Sequence, residues 1–159
     1  MGEFRPMGVL DHLIAPKRPK RKTLAATLRS PLGALLLPQF ERLGLPAGEL
    51  PQNGPTGSAW SRGYVLGAAC ASLQHQGAAP VSDQECFTIA HTAFAMTYGE
   101  AAARHLLAAT VAAAEEQEPD VEDGLMQGAS DLALAAAGDV ESAAQQFAIR
   151  NSQELSDQI

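Results

Sequence analysis

Two histidines and a tyrosine are the first residues whose spacing suggests chemistry. His91, Tyr98 and His105 follow one another at intervals of seven residues, so a continuous helix would project all three from one side. Such a row is compatible with metal binding or with proton transfer. Side chains seven residues apart on a helix are separated by about 10 Å, however, whereas a metal ion holds its ligands at about 2 Å. The spacing therefore favours a polar edge of a helical bundle, and His91 and His105 are weak candidates for a metal site.

The two cysteines of the chain, Cys70 and Cys86, form a second candidate set. If the chain turns near Ala79, the two thiols would face each other across a helical hairpin. That arrangement is compatible with a redox switch, or with a metal site shared with His75. Buried free cysteines more often act as small apolar side chains. The sequence has no CxxC motif and no disulfide framework, and we predict no metal and no cofactor.

A basic tract at residues 17–22 carries five positive charges in six residues. Its cationic side chains are Lys17, Arg18, Lys20, Arg21 and Lys22. Charges of one sign at this density repel one another and resist burial, which favours a solvated segment. The tract is typical of sequences that bind phosphate groups or direct nuclear import, and it is as typical of a plain linker. Phosphate or partner binding is the functional interpretation of these five residues.

The charge of −7 is divided unevenly along the chain. Residues 1–62 hold nine of the eleven Lys and Arg and four of the eighteen Asp and Glu, a balance of +5, and residues 63–159 have a balance of −12. This asymmetry predicts a basic arm on an acidic body. The arm either docks on the body or meets a nucleic acid, an acidic membrane or an acidic protein. The acids of residues 115–123 do not have calcium-loop spacing and are interpreted as solvated charge, or as a patch for a basic partner or for the basic tract itself.

Enzyme signatures are absent from the sequence: it contains no GxSxG, HExxH, Walker A or GxGxxG motif. Ser58, Ser61 and Ser72 have no base beside them in sequence. Because a nucleophile and its base can come together only in the fold, catalysis stays open, and a protein without enzymatic activity is the preferred interpretation.

The elements that would position these residues are helices. Ser82-Asp83-Gln84-Glu85 has the pattern of a capping box, which predicts a helix beginning after Ser82. A preceding helix is predicted over Ala59–Gln76, and Gly99 is expected to break or bend the second one. Gly63 and Gly67, four residues apart on one face, predict a site where another helix backbone approaches closely. Further helices are predicted over 32–43, where Pro38 should kink or split the helix, over 121–137 and over 140–150.

These elements predict an all-α fold, a small bundle of four to five helices. The expected organisation is a basic, Pro- and Gly-rich arm with one or two short helices over residues 1–57, a helical domain over 58–150 and a frayed tail over 151–159. No apolar segment approaches the roughly 20 residues that a bilayer crossing requires, and two cysteines suit a reducing compartment, so a soluble cytoplasmic protein is expected.

The leading functional hypothesis is a regulatory or interaction protein. Its helical body would bind a protein partner, and the basic arm would add electrostatic attraction. Gly63 and Gly67 would favour helix-on-helix association, including formation of a homo-oligomer. The alternative is an accessory protein that binds nucleic acid through the basic arm, with an affinity that falls steeply with salt. The third hypothesis is a small helical metal-binding protein or enzyme.

Overall fold

The structure, a computed structural model, describes residues 30–74, 82–138 and 145–157. These three ranges form six α-helices and one short 3₁₀ turn, and they contain no strand. The helices are α1 (Pro31–Arg42), α2 (Ala59–Gln74), α3 (Asp83–Tyr98), α4 (Glu100–Glu115), α5 (Pro119–Ala136) and α6 (Gln146–Asp157), and the 3₁₀ turn is Pro55–Gly57. The predicted all-α bundle is confirmed. The basic tract and His75 lie outside the described residues.

The second helix, α2, is the centre of the bundle. Eleven of its sixteen residues are buried, and it contacts each of the five other helices, most extensively α5. A helix that packs against neighbours along most of its surface is apolar on most of its sides, and Arg62 is the one charged residue of α2. Among the described helices, none has both the length and the apolar character needed to cross a bilayer.

Four glycines bring α2 and α5 into backbone contact. Two of them, Gly63 and Gly67, belong to α2, and the other two, Gly124 and Gly128, have the same spacing on α5. A Cβ atom added to each would lie within 2.4 Å of a backbone carbonyl oxygen of the facing helix, those of Val121, Leu125, Trp60 and Tyr64 respectively. No side chain fits at such distances, so the close approach requires glycine at all four positions.

The start and the end of α3 follow from local sequence signals. The Ser82 hydroxyl accepts a hydrogen bond from the Glu85 N–H at 3.1 Å and donates one to the Glu85 carboxylate at 3.1 Å. Ser82 is therefore confirmed as the N-cap. The predicted break at Gly99 is also confirmed, because α3 ends at Tyr98 and Gly99 has a φ of 97°, a value that favours glycine.

The Pro- and Gly-rich connection between α1 and α2 packs on the junction of α3 and α4. The Leu50 N–H donates to the Thr97 carbonyl at 3.0 Å, and the Tyr98 hydroxyl donates to the Thr56 carbonyl at 2.7 Å. Leu50 itself is buried. From the sequence, this segment could be either a linker or a binding loop. In the structure it is a connection that is held on α3 by these two hydrogen bonds and by the buried side chain of Leu50.

The first helix, α1, belongs to the same core as the helices that follow it, which differs from the expected arm over residues 1–57. Its side chains Leu32, Leu35, Leu36 and Phe40 are buried among those of the other helices. These four residues recur at helical spacing and give α1 one apolar side, so burial of that side joins the helix to the bundle. Pro38 lies inside α1 at an exposed position and does not end the helix.

The last helix, α6, continues past Arg150 to Asp157, whereas fraying was expected from residue 151 onward. Asn151 is fully buried, and its side-chain amide donates to the Ser61 hydroxyl at 3.1 Å and to the Phe147 carbonyl at 2.9 Å. A polar side chain in the core needs such partners. Asn151 thus ties α6 to the start of α2, beyond the point where the apolar pattern of the sequence ends.

The turn between α4 and α5 has the hydrogen bonds of a Schellman motif without its usual glycine. The Glu118 N–H donates to the Ala113 carbonyl and the Gln117 N–H to the Ala114 carbonyl, and Gln117 has a φ of 57°. Because a left-handed conformation is unfavourable for a residue with a Cβ atom, Gln117→Gly is expected to raise the free energy of unfolding by about 0.5–1 kcal/mol in chemical denaturation.

The matched control for this prediction is Glu116→Gly, one residue earlier, where φ is −82°. Glycine there gains no relief of strain and increases the entropy of the unfolded chain, so it should lower stability. Equal effects of the two substitutions would contradict a left-handed Gln117.

Candidate functional site

The two histidines proposed from spacing lie on different helices. His91 is buried in α3 with its ring 5.6 Å from that of Phe87, whereas His105 is exposed on α4, beyond the break at Gly99. Burial lowers the pKa of His91, an effect that Glu100 opposes. The row expected from a continuous helix is therefore interrupted, because α3 and α4 are separate helices.

The cysteines lie on adjacent helices, Cys70 on α2 and Cys86 on α3, and both are free and half-buried. Burial, with a further contribution from Cys86, raises the pKa of the Cys70 thiol to about 12. Burial, followed by Asp83 and Glu85, raises the pKa of Cys86 as well. Both thiols are thus protonated near neutral pH, which makes them poor nucleophiles. Within the described ranges, no three His, Cys, Asp or Glu side chains are placed to hold a metal ion.

Gly63 and Gly67 face α5 within the same chain. Their face is already filled, so self-association through these two glycines has no free surface in this structure. The five cations of the basic tract lie outside the described residues, and nucleic-acid binding through them stays a prediction.

A chain of buried polar side chains crosses the bundle and is the clearest cluster of titratable groups. The Tyr64 hydroxyl donates to Asp131 Oδ2 at 2.7 Å and accepts from Gln39 Nε2 at 3.1 Å. Asp131 Oδ1 accepts from Gln127 Nε2 at 2.9 Å, and Gln39 Oε1 accepts from the Ala148 N–H at 3.0 Å. These bonds connect α1, α2, α5 and α6.

The position of this network makes it structural. Burial raises the pKa of Tyr64 and that of Asp131, although the hydrogen bonds from Tyr64 and Gln127 oppose the shift of Asp131. Asp131 is 2% exposed, so neither its carboxylate nor the Tyr64 hydroxyl can meet a substrate. A satisfied buried network of this kind fixes the helices relative to one another.

An apolar groove of about 400 Å³ lies between α2, α4 and α5 and is the best candidate for a functional site. Its floor is the second half of α2, where Leu66, Cys70 and Gln74 follow one another at helical spacing. One wall is formed by Val111 and Ala114 of α4. The other wall is formed by Leu125, Met126 and Ala129 of α5. A volume of this size is typical of ligand pockets.

The groove exists because α4 and α5 diverge. The four glycines hold α5 tightly on α2, whereas α4 packs chiefly on α3 and has little contact with α5, although the two helices are consecutive in the chain. The side chains that project into the gap from α2, α4 and α5 include Ala71, Ala114 and Ala129, which are too short to fill it. In the part of the chain that the structure describes, the space between the two helices therefore stays open above α2.

Two features distinguish the rim of the groove. Met126 is 74% exposed, the most exposed large apolar side chain among the described residues. The turn that joins α4 to α5, together with the adjoining ends of the two helices, adds five exposed carboxylates: Glu115, Glu116, Glu118, Asp120 and Glu122. Glu122 precedes Met126 by four residues and so lies on the same side of α5. The groove is thus apolar inside and acidic at the end formed by this turn.

The sequence predicts Cys70 as a candidate residue because of its thiol, but no local pattern predicts the groove that Cys70 lines. One signal was available: Gly124 and Gly128 repeat the spacing of Gly63 and Gly67 and mark α5 as the helix that packs on α2. Met126 lies between these two glycines in sequence, and the side of α5 that carries the glycines faces α2. No local pattern shows the divergence of α4 from α5, because it depends on how three helices pack.

The groove offers an apolar binding surface with an acidic rim. When the chain is compared with models of protein families, with curated proteins and with solved structures, no match is found.

Proposed function

We propose that this chain is a non-enzymatic interaction protein that binds an apolar helical segment of a protein partner in the groove between α2, α4 and α5. The observation that carries the proposal is the exposure of Met126 at the rim of an apolar groove. Exposed apolar surface next to an unfilled groove is costly in water and is typical of interaction sites. Methionine is also common at surfaces that accommodate apolar partner helices, because its side chain is flexible.

The shape and the charge of the groove define the chemistry of the partner. A groove bounded by two helices suits an amphipathic helix whose anchors recur every three or four residues. The carboxylates of the α4–α5 turn favour positive charge at one end of that helix. The partner segment is therefore expected to have an aliphatic stripe with Lys or Arg beside it.

The test uses a fluorescent synthetic helix with leucines at every third or fourth position and lysines on its other face. Met126→Lys is expected to weaken binding of this peptide to the full chain by about tenfold or more. Burial of a methionine contributes about 1.5–3 kcal/mol, and the added positive charge repels the lysines. Fluorescence anisotropy measures the affinity.

Leu134→Lys is the matched control, because Leu134 is also an exposed apolar residue of α5 but does not line the groove. It should change the affinity by less than about twofold, and a scrambled peptide of the same composition should bind at least about tenfold more weakly. Equal losses with the two lysine variants would mean that the peptide responds to net charge alone, and the proposed site would be rejected.

A further inference from the structure

We infer that the groove has an occupant within the chain itself: the apolar segment Val9–Ile14, held in place by the basic tract on the acidic α4–α5 turn. This inference rests on the proposed function of the groove and adds a regulatory consequence. A partner helix would have to displace the chain's own segment before it could bind.

The sequence of the segment has the chemistry that the groove requires. Val9, Leu10, Leu13 and Ile14 fall on one side of a helix, and Asp11 and His12 fall on the other. The segment therefore presents an aliphatic stripe without an aromatic side chain. That stripe matches a groove whose walls are mostly aliphatic.

Charge fixes the direction in which the segment would lie. The basic tract begins three residues after Ile14, so it reaches the end of the groove when the stripe occupies its interior. Residues 1–29 contain seven Lys and Arg and two Asp and Glu, a balance of +5. The described body presents these five exposed carboxylates at and beside the α4–α5 turn, in a stretch, residues 105–149, whose sequence contains no Lys or Arg. Opposite charges of this density attract at short range.

The chain between the segment and the body is long enough for the segment to reach the groove. Fifteen residues, 15–29, separate Ile14 from Ser30, and an extended chain of that length spans about 50 Å. The longest helix of the bundle, α5, has 18 residues and is about 27 Å long. The segment can therefore reach the groove from the start of α1.

The same charges disfavour a second copy of the body as the occupant. Residues 30–159 contain four Lys and Arg and sixteen Asp and Glu, a balance of −12. Two such bodies would bring their acidic surfaces together on pairing, and like charges in contact oppose association. Binding of the chain's own basic segment would partly neutralise the negative charge of the body, whereas binding of a second body would double it.

Cys70 provides a direct measurement, because it lines the groove whereas Cys86 does not. The full-length chain is treated with iodoacetamide, and the alkylation rate of each cysteine is followed by mass spectrometry of its peptide. Leu13→Asp is expected to increase the Cys70 rate at least about fivefold and to leave the Cys86 rate unchanged as the internal reference. An increase of sodium chloride from 50 to 500 mM should accelerate Cys70 in the unsubstituted chain, because salt screens the attraction.

The matched control is His12→Asp, which places the same charge next to Leu13 on the opposite side of the segment. It should leave the Cys70 rate within about twofold of the original rate, since residue 12 lies on the side of the segment that faces away from the groove and its substitution leaves the aliphatic stripe intact. Equal Cys70 rates in the original chain and in Leu13→Asp would overturn the inference. Protection of Cys70 that grows with protein concentration would also overturn it, because a second copy would then cover the groove.

The fluorescent peptide separates failure of this inference from failure of the proposed function. If the segment covers the groove, Leu13→Asp should tighten peptide binding about as much as it accelerates Cys70, because a larger fraction of the molecules is open. The effect of Met126→Lys is therefore also measured in the Leu13→Asp chain, since Met126→Lys weakens binding of the segment as well as that of the peptide. Unchanged peptide affinity in Leu13→Asp, together with a loss in Met126→Lys, would reject the segment and keep the site. Absence of peptide binding even in Leu13→Asp would reject both.

Discussion

Gly67→Ala is expected to lower the free energy of unfolding by about 2–3 kcal/mol, although alanine is the better helix former by about 1 kcal/mol. The added methyl group would lie 2.1 Å from the Leu125 carbonyl oxygen. The obstructing atom belongs to the backbone of α5, so relief requires that the two helices move apart. Denaturation with guanidinium chloride, followed by circular dichroism, measures the change.

The double variant Gly67→Ala with Gly128→Ala tests the mechanism further. A methyl group at position 128 would lie 2.1 Å from the Tyr64 carbonyl oxygen, across the same interface. Once one substitution has moved the two helices apart, the second methyl group no longer clashes and costs less stability. The loss of the double variant should therefore fall short of the sum of the single losses by about 1 kcal/mol or more, as expected for residues that share one contact.

Ser130→Ala is the control for the effect of placing an alanine in α5, because Ser130 is an exposed residue in the interior of this helix. It should change the free energy of unfolding by less than about 0.5 kcal/mol. Stabilisation by Gly67→Ala, as helix propensity alone would give, would contradict backbone contact between α2 and α5. So would strict additivity of the two glycine substitutions.

The parts of the fold that local sequence determines could be predicted. Ser82 caps α3 through a hydrogen bond to a residue three positions away, and Gly99 ends it through its own backbone conformation. Both are effects of neighbouring residues, so the sequence pattern is sufficient to locate them. The all-α class follows from many such signals that agree.

The extent of the bundle could not be predicted in the same way, because it depends on distant residues. Gln39 is polar and lies in a segment that charge balance assigns to the arm, yet it is buried between Tyr64 and the Ala148 N–H. Asn151 is buried by a bond to Ser61, ninety residues away in the chain. A polar residue is predicted to be exposed unless its partner is known.

The candidate site shows the same limit. Met126 is an apolar residue on an amphipathic helix, and a sequence pattern assigns such residues to the core. Its exposure follows from the glycine contact, which sets the rotation of α5, and from the divergence of α4. The histidines and cysteines carried the chemical signals in the sequence, but among the described residues they are not part of any group of three side chains placed to hold a metal ion.

Phe147→Ala is expected to have the largest effect of any single substitution, a loss of about 3–5 kcal/mol in the free energy of unfolding. Phe147 is fully buried, and its ring centroid lies 5.7 Å from that of Phe40 and 5.4 Å from that of Tyr64. It therefore joins α6 to α1 and α2 at once. The ion pairs of Arg150 with Asp123 at 3.8 Å and with Glu154 at 3.3 Å lie at the surface and contribute little.

The loss should be concentrated in α6. This helix has twelve residues, and isolated helices of about that length are marginal in water, so α6 should unfold once its anchor is removed. Hydrogen exchange is expected to show faster exchange of the amides of α6 in Phe147→Ala than of those of α2. Ile149→Ala is the matched control on the same helix, because Ile149 is 41% exposed, and its cost should stay below about 1 kcal/mol. Equal losses of stability in the two variants, or protected α6 amides in Phe147→Ala, would contradict this prediction. The ring contacts of Phe147 would then not be what anchors α6 to the bundle, and the hydrogen bonds of buried Asn151 would have to anchor it.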